Sequence, residues 1–184
     1  NISSKKYNFA ADLADFMKGG KKLRAFLVYL GYLCAGGKKI EEVLPVCLAF
    51  EVVHSFFLIH DDVMDRADLR RNKQTIHKKY GKIDSHFGES IAILWGDIAA
   101  FEAVSLIVNS SIEIGKKQKV LQVFTDTVLS TGWGQVLDVL GSVEILSEAD
   151  INTVNDLKTA KYSVISPFLI GATLASAGKT QLET

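Results

Sequence analysis

Residues 48–65 read Leu48-Ala49-Phe50-Glu51-Val52-Val53-His54-Ser55-Phe56-Phe57-Leu58-Ile59-His60-Asp61-Asp62-Val63-Met64-Asp65. No glycine or proline interrupts this mostly apolar run, and it ends on three carboxylates. At about 100° of rotation per helical residue, Asp61 and Asp65 fall about 40° apart on one face, so their carboxylates can converge on one cation. Clustered carboxylates repel unless something positive lies among them. An all-oxygen donor set suits a hard cation such as Mg²⁺, which keeps several waters and binds substrate phosphates rather than being caged by protein. The stretch predicts a long helix ending on a site for a cation and a diphosphate.

The same helix carries more on that face. With Asp61 as reference, His54 lies about 20° away, Phe57 about 40° to one side and Asp65 about 40° to the other. His54, Phe57, Asp61 and Asp65 therefore form one stripe, which reads as a cavity wall with an apolar floor and a charged mouth. Phe56, about 140° from Asp61, points more to the side.

Composition agrees with a helical protein. The chain has 184 residues, 48% hydrophobic, 23% charged, with a formal net charge of zero. That describes a single globular domain over 1–184 with a sizeable core. Balanced charge argues against a general surface for nucleic acid or for an anionic membrane. Only two prolines occur, which permits helix over long stretches. Cys34 and Cys47 lack CxxC spacing and read as small core residues of a reduced, cytoplasmic protein. The most apolar segments carry Glu51, His54, Asp97 and Glu102, so they are expected to be buried helices rather than membrane spans.

Breaks fall at Gly19-Gly20, Gly36-Gly37, Gly81-Lys82, Gly115-Lys116-Lys117 and Gly141-Ser142. They predict helices over 8–18, 21–35, 40–66, 74–80, 85–112, 117–140, 148–160 and 161–177. The expected fold is all-α, a bundle of antiparallel helices projecting polar groups into a central cavity. Lys38-Lys39 and Lys116-Lys117 read as solvated loop charges.

Three basic elements accompany the acidic helix. Gly19-Gly20-Lys21-Lys22-Leu23-Arg24 places Lys21 and Arg24 three residues apart at a predicted helix start, where glycines also free backbone N–H groups for an anion. Arg70-Arg71 follows Asp65, and Lys158-Thr159 comes later. Arginine forks match phosphate oxygens in a bidentate way, and lysine adds a point charge.

Gly-Gly-Lys-x-x-Arg, His54 ahead of Asp-Asp-x-x-Asp, Arg70-Arg71, Gly134-Gln135-x-x-Asp138 and Lys158-Thr159, in this order, resemble the trans-isoprenyl diphosphate synthases of the polyprenyl synthetase family. The resemblance runs from Gly19 to at least Thr159 and implies the isoprenoid synthase type of fold. It also implies head-to-tail condensation of isopentenyl diphosphate with an allylic diphosphate. Asp61 and Asp65 would bind Mg²⁺ against the allylic diphosphate, with Arg70, Lys158, Thr159 and Gln135 on that same diphosphate. Asp61, Asp65, Arg70 and Lys158 form the implied catalytic set. Lys21, Arg24, His54 and Arg71 would hold isopentenyl diphosphate. The departing diphosphate takes the final proton in this family, so no side chain is assigned as general base.

The resemblance also bears on product size. Bulky residues four and five positions before the first aspartate shorten the product pocket, and here these are Phe57 and Phe56. A short product is expected, farnesyl diphosphate first and geranylgeranyl diphosphate next. Two departures stand out: Ala25 replaces the family's proline, and the second Asp-rich motif would lie beyond Thr184. These 184 residues are therefore expected to be part of a longer protein that lacks here its C-terminal helices. The resemblance further implies a homodimer, for which the apolar helices over 91–108 and 119–140 could supply surface, although buried packing within the chain explains the same residues equally well.

Two other classes compete. His60-Asp61 with His54, His77 and Asp65 could form the His/Asp cluster of a metal-dependent phosphohydrolase. Against it, His60 projects about 100° away from Asp61. A non-catalytic subunit that keeps the fold is the other alternative, disfavoured by intact Lys21, Arg24, Asp61, Asp65, Arg70 and Arg71.

Overall fold

The computed structural model describes residues 8–82 and 84–175. Among them the chain is all-α apart from one short hairpin: α1 (Phe9–Met17), α2 (Leu23–Cys34), α3 (Ile40–Met64), β1 (Leu69–Arg70), β2 (Lys73–Gln74), α4 (Ile76–Tyr80), α5 (Ser85–Val108), α6 (Ile114–Leu140), α7 (Glu148–Asn155), the π-helical stretch Asp156–Ile165 and α8 (Ser166–Leu174). Two compact units emerge, each discontinuous in sequence. The first joins the residues up to Lys21 with Glu51–Ala103, and the second joins Lys22–Phe50 with the residues from Val104 onward.

Local chemistry sets the helix ends. The Asn8 side chain accepts from Ala11 N at the start of α1, and Asp84 accepts from Phe87 N at the start of α5. Ser147 and Asp150 form a reciprocal capping box on α7, which satisfies donors the first turn leaves open. At the end of α2, Gly36 takes φ +85° and Gly37 N donates to Tyr32 O, a closure that favours glycine because it needs a left-handed residue.

In the first unit, Ile59, Ile76, Ala92 and Trp95 form a buried cluster flanked by Phe16, Val63, Tyr80 and Ile91. In the second, α2 and α8 approach so closely that a Cβ on Gly31 would lie 2.1 Å from the Phe168 carbonyl oxygen, and one on Gly171 only 1.9 Å from that of Val28. Phe50 and Phe124 meet edge to face at 5.3 Å, the arrangement aromatic quadrupoles favour.

Several boundaries differ from expectation. The helix expected over 74–80 begins at Ile76, because Lys73–Gln74 pairs with Leu69–Arg70 across the two-residue turn Arg71-Asn72. Both turn residues have positive φ, +53° and +62°, the twist that closes a tight hairpin. The helix expected from 117 begins at Ile114, since Glu113 caps Gly115 N and Lys116 N. The two helices expected over 148–160 and 161–177 are α7, the π-helical stretch and α8, with 176 and 177 outside the described residues. Cys47 is buried, but Cys34 is exposed and is no core residue. Lys117 is more than a solvated loop charge: its Nζ donates to Val108 O at 2.7 Å and Ser110 O at 2.8 Å, capping the negative end of α5.

The apolar helices need a second reading. α3 and α5 are both long and apolar enough to cross a membrane by length and composition, with 56% and 33% of their apolar windows buried in the protein. The expectation that both are buried helices holds better for α3. On α5, Leu94, Ile98 and Phe101 lie exposed along one face.

Candidate functional site

α3 ends on its own carboxylates. Asp65 N donates to Asp61 O, Arg66 takes φ +53°, and Ala67 N returns to Asp62 O at 2.9 Å. This left-handed closure stops the helix immediately after the acidic motif. Carboxylates at a helix C-terminus face the negative end of its dipole, an arrangement that a bound cation relieves. Asp61 is partly buried and Asp65 exposed, one turn apart.

Asp62 behaves differently from its neighbours. Its side chain is 1% exposed and Arg70 Nε donates to its Oδ1 at 2.6 Å, while Arg70 Nη2 stands 3.6 Å from Asp61 Oδ2. Burial pushes the Asp62 carboxyl above its ordinary range, against the pull of Arg70. The middle aspartate thus faces inward and holds an arginine, leaving Asp61 and Asp65 as the outward pair. This anchor was not among the sequence-derived site residues, although its signal was present: Asp62 lies about 100° from Asp61.

Two outward carboxylates fit Mg²⁺, which takes one or two from a protein and completes its shell with water and phosphate. Among the described residues no group of three or more His, Cys, Asp or Glu side chains is placed to hold a metal. The His/Asp cluster of a phosphohydrolase therefore does not form. His60 is turned to α5, with Nε2 3.0 Å from Ile93 O and 3.6 Å from Asp97 Oδ1, and His77 is buried.

His54, Phe57 and Asp61 are all half-buried along α3, and Asp65 is exposed. Phe56 lies to the side, its ring 4.7 Å from that of His60 and 4.6 Å from that of Phe57.

The hairpin brings a second motif into the first unit. Arg71, in the tight turn, lies against Gly19-Gly20: a Cβ on Gly19 would be 2.7 Å from its Cδ, and one on Gly20, where φ is +91°, 2.8 Å from its Nη2. Arg71 Nη1 also reaches Phe16 O at 3.5 Å. A cavity of about 510 Å³ opens here, lined by Arg70, Arg71, Lys73, Lys79 and Lys82 against Asp12 and Asp15. Its excess of cations suits an anion.

Lys21 is exposed and precedes α2, whose N-cap Lys22 takes φ +52° and makes no side-chain capping bond. Lys21 and Arg24 therefore do not share a helical turn, contrary to the spacing argument. In the second unit, Arg24 Nη2 donates to Ser163 Oγ at 2.7 Å and its guanidinium lies 4.5 Å above the Tyr162 ring. Lys158 Nζ pairs with Asp138 Oδ2 at 2.5 Å. Gly134 makes room for that lysine, since a Cβ there would meet Lys158 Cγ at 3.0 Å. Gln135 is half-buried and Thr159 exposed. Lys158 and Thr159 both sit in the π-helical stretch, a rare geometry that recurs at functional sites.

The sequence model of polyprenyl synthetases matches residues 9–184. This chain belongs to the polyprenyl synthetase family. It is 38% identical over 138 residues to a short chain isoprenyl diphosphate synthase of Methanocaldococcus jannaschii, covering 73% of this chain and 38% of that protein. It is 34% identical over 182 residues to a farnesyl diphosphate synthase of Bacillus subtilis, covering 94% and 57%. The geranylgeranyl pyrophosphate synthase of Corynebacterium glutamicum, solved with isoprenyl diphosphate and magnesium, superposes with a TM-score of 0.86 at 26% identity, over 98% of this chain and 56% of that one. The all-α fold is thus that of the isoprenyl synthases. The chain spans about half the length of the relatives it matches.

Proposed function

We propose that this chain forms part of a Mg²⁺-dependent trans-prenyltransferase that condenses isopentenyl diphosphate with an allylic diphosphate. One observation carries the reading: Asp61 and Asp65 stand outward at a helix end, while Asp62 turns inward to seat Arg70. A merely solvated acidic end would not bury its middle carboxylate on an arginine. Mg²⁺ held by Asp61 and Asp65 would supply charge neutralisation for the leaving diphosphate.

The remaining roles belong to side chains. In the first unit Arg70 holds the allylic diphosphate, and Lys21, His54 and Arg71 hold isopentenyl diphosphate. In the second, Lys158, Thr159 and Gln135 are assigned to the allylic diphosphate and Arg24 to isopentenyl diphosphate. Correct seating aligns the isopentenyl double bond with the carbon from which diphosphate departs, and positioning of this kind supplies several kcal/mol of a barrier. One C–O bond breaks, one C–C bond forms, and the released diphosphate accepts the proton lost from the isopentenyl unit.

Phe56 and Phe57 favour a short product, farnesyl diphosphate first and geranylgeranyl diphosphate next. The exposed face Leu94, Ile98 and Phe101 of α5 supports a homodimer better than a membrane span, because the same helix carries Asp97 and Glu102. A cytoplasmic location fits the free Cys34.

Incubation with Mg²⁺, labelled isopentenyl diphosphate and an allylic primer tests the reading. Chain elongation is expected. Phosphate release without elongation would reassign the protein to the hydrolases, and neither product would make it a non-catalytic subunit.

A further inference from the structure

Arg71 can serve isopentenyl diphosphate only if the Gly19-Gly20 segment beneath it stays in place. Gly20 is in the left-handed region, and neither glycine has a side chain to anchor it. The support comes from the preceding helix. Asp12 and Asp15 lie three residues apart on α1, hence on one face, and both reach out of the helix. The Asp15 carboxylate takes Lys73 Nζ at 2.9 Å, on the strand directly after the Arg71 turn. The Asp12 carboxylate, 16% exposed, takes Lys79 Nζ at 2.5 Å and also the Tyr80 hydroxyl.

The two aspartates therefore tie α1 at two separate points to the hairpin and to α4. Phe16 adds a third tie, from its backbone oxygen to Arg71 Nη1. Two of the cations around the cavity are already matched, Lys73 and Lys79, by these aspartates. Lys73 and Lys79 thus read as fasteners rather than as ligands for a second anion.

We propose that Asp12 and Asp15 are positioning residues for isopentenyl diphosphate, a clamp that holds the Gly19-Gly20-Lys21 segment in register with Arg71. The proposal rests on the assignment of Lys21 and Arg71 to that substrate. Neither aspartate touches substrate; each acts through the backbone it fixes. Its consequence is selective, because the clamp bears on one of the two substrates.

The test compares the wild-type protein with Asp12→Asn, Asp15→Asn, the double variant and Asp15→Glu. Each Asn variant should raise the KM for isopentenyl diphosphate about threefold to fivefold, and the double variant about tenfold. The KM for the allylic substrate and kcat should stay near wild type, and Asp15→Glu should restore most of the loss. Hydrogen exchange of the amides over 16–22, read in the absence of substrate, should accelerate in the Asn variants. Unchanged exchange in that segment overturns the clamp, whether or not the protein turns over. Faster exchange in the Asn variants of a protein whose wild type elongates nothing leaves the clamp standing and removes the prenyltransferase reading instead. Equal rises in both KM values overturn its selectivity for isopentenyl diphosphate.

Discussion

Arg70 Nε donates a 2.6 Å hydrogen bond to Oδ1 of Asp62, a side chain 1% exposed whose other oxygen meets no donor among the described residues. A carboxylate so placed is costly to keep charged, and its arginine partner is what makes the charge tolerable. The pair therefore works in one direction: Asp62 aims Arg70, the group proposed to hold the allylic diphosphate.

Replacing Asp62 with Ala should release Arg70 from this orientation. A hydrogen bond to a charged group contributes about 1.5–3 kcal/mol, so the KM for the allylic diphosphate should rise about tenfold or more. Steady-state kinetics with isopentenyl diphosphate held saturating reads this directly. An unchanged allylic KM would show that Arg70 finds its position without Asp62.

Gly19→Ala should separate binding from stability. The new methyl would stand 2.7 Å from Arg71 Cδ, but the obstacle is a long side chain that can swing away. The expected result is a rise of about tenfold in the KM for isopentenyl diphosphate with a change in folding stability below about 0.5 kcal/mol. Calorimetry beside kinetics checks both halves. A large drop in melting temperature with an intact KM would place the glycine's role in packing instead.

The helical character of α3, and the common face of His54, Phe57, Asp61 and Asp65, are legible because both follow from a fixed rotation per residue. Orientation about that axis also implied that Asp62 points elsewhere, but not toward what. Its partner is eight residues on, past a left-handed Arg66 and on the first strand of a hairpin of two-residue strands, and so short a hairpin leaves too few residues for an alternating pattern. Arg24 shows the same limit more sharply. Its partners Tyr162 and Ser163 lie 138 and 139 residues further along the chain, and no periodicity reaches that far. The π-helical stretch was read as a break between two helices because a wider backbone turn has no compositional signature.

Product length should respond unequally to the two phenylalanines. Phe57 shares the face of Asp61, whereas the Phe56 ring is turned against His60 at 4.7 Å. If the proposed allylic site is right, truncation of Phe57 to Ala opens space along the stripe of Asp61, so it should lengthen the product by at least one isoprene unit. Phe56→Ala should lengthen it less, its main effect being a loss of about 1–3 kcal/mol in stability from the vacated packing of a half-buried ring. Chromatography of the dephosphorylated products distinguishes them, and identical products from wild type and both variants would remove Phe56 and Phe57 from the control of chain length.

His77 predicts an acid sensitivity with a definite sign. The residue is buried, and neither ring nitrogen meets a hydrogen-bond partner among the described residues. Burial, helped by the neighbouring charge of Lys78 and opposed by Glu89 and Asp68, lowers its pKa from the ordinary 6.5. The native state thus keeps the ring neutral at pH values where the unfolded chain has already taken up a proton. Stability from this group is complete above pH 6.5 and is lost as pH falls from 6.5 toward the lower native pKa, with a slope of at most about 1.4 kcal/mol per pH unit. His77→Phe should abolish that slope and, by removing two buried nitrogens without partners, should leave stability at about pH 8 equal to or above wild type. Chemical denaturation of both proteins at about pH 8 and about pH 5.5 is the measurement. A wild-type protein that loses no more stability than the Phe variant over that interval would mean that His77 already carries its proton in the folded state.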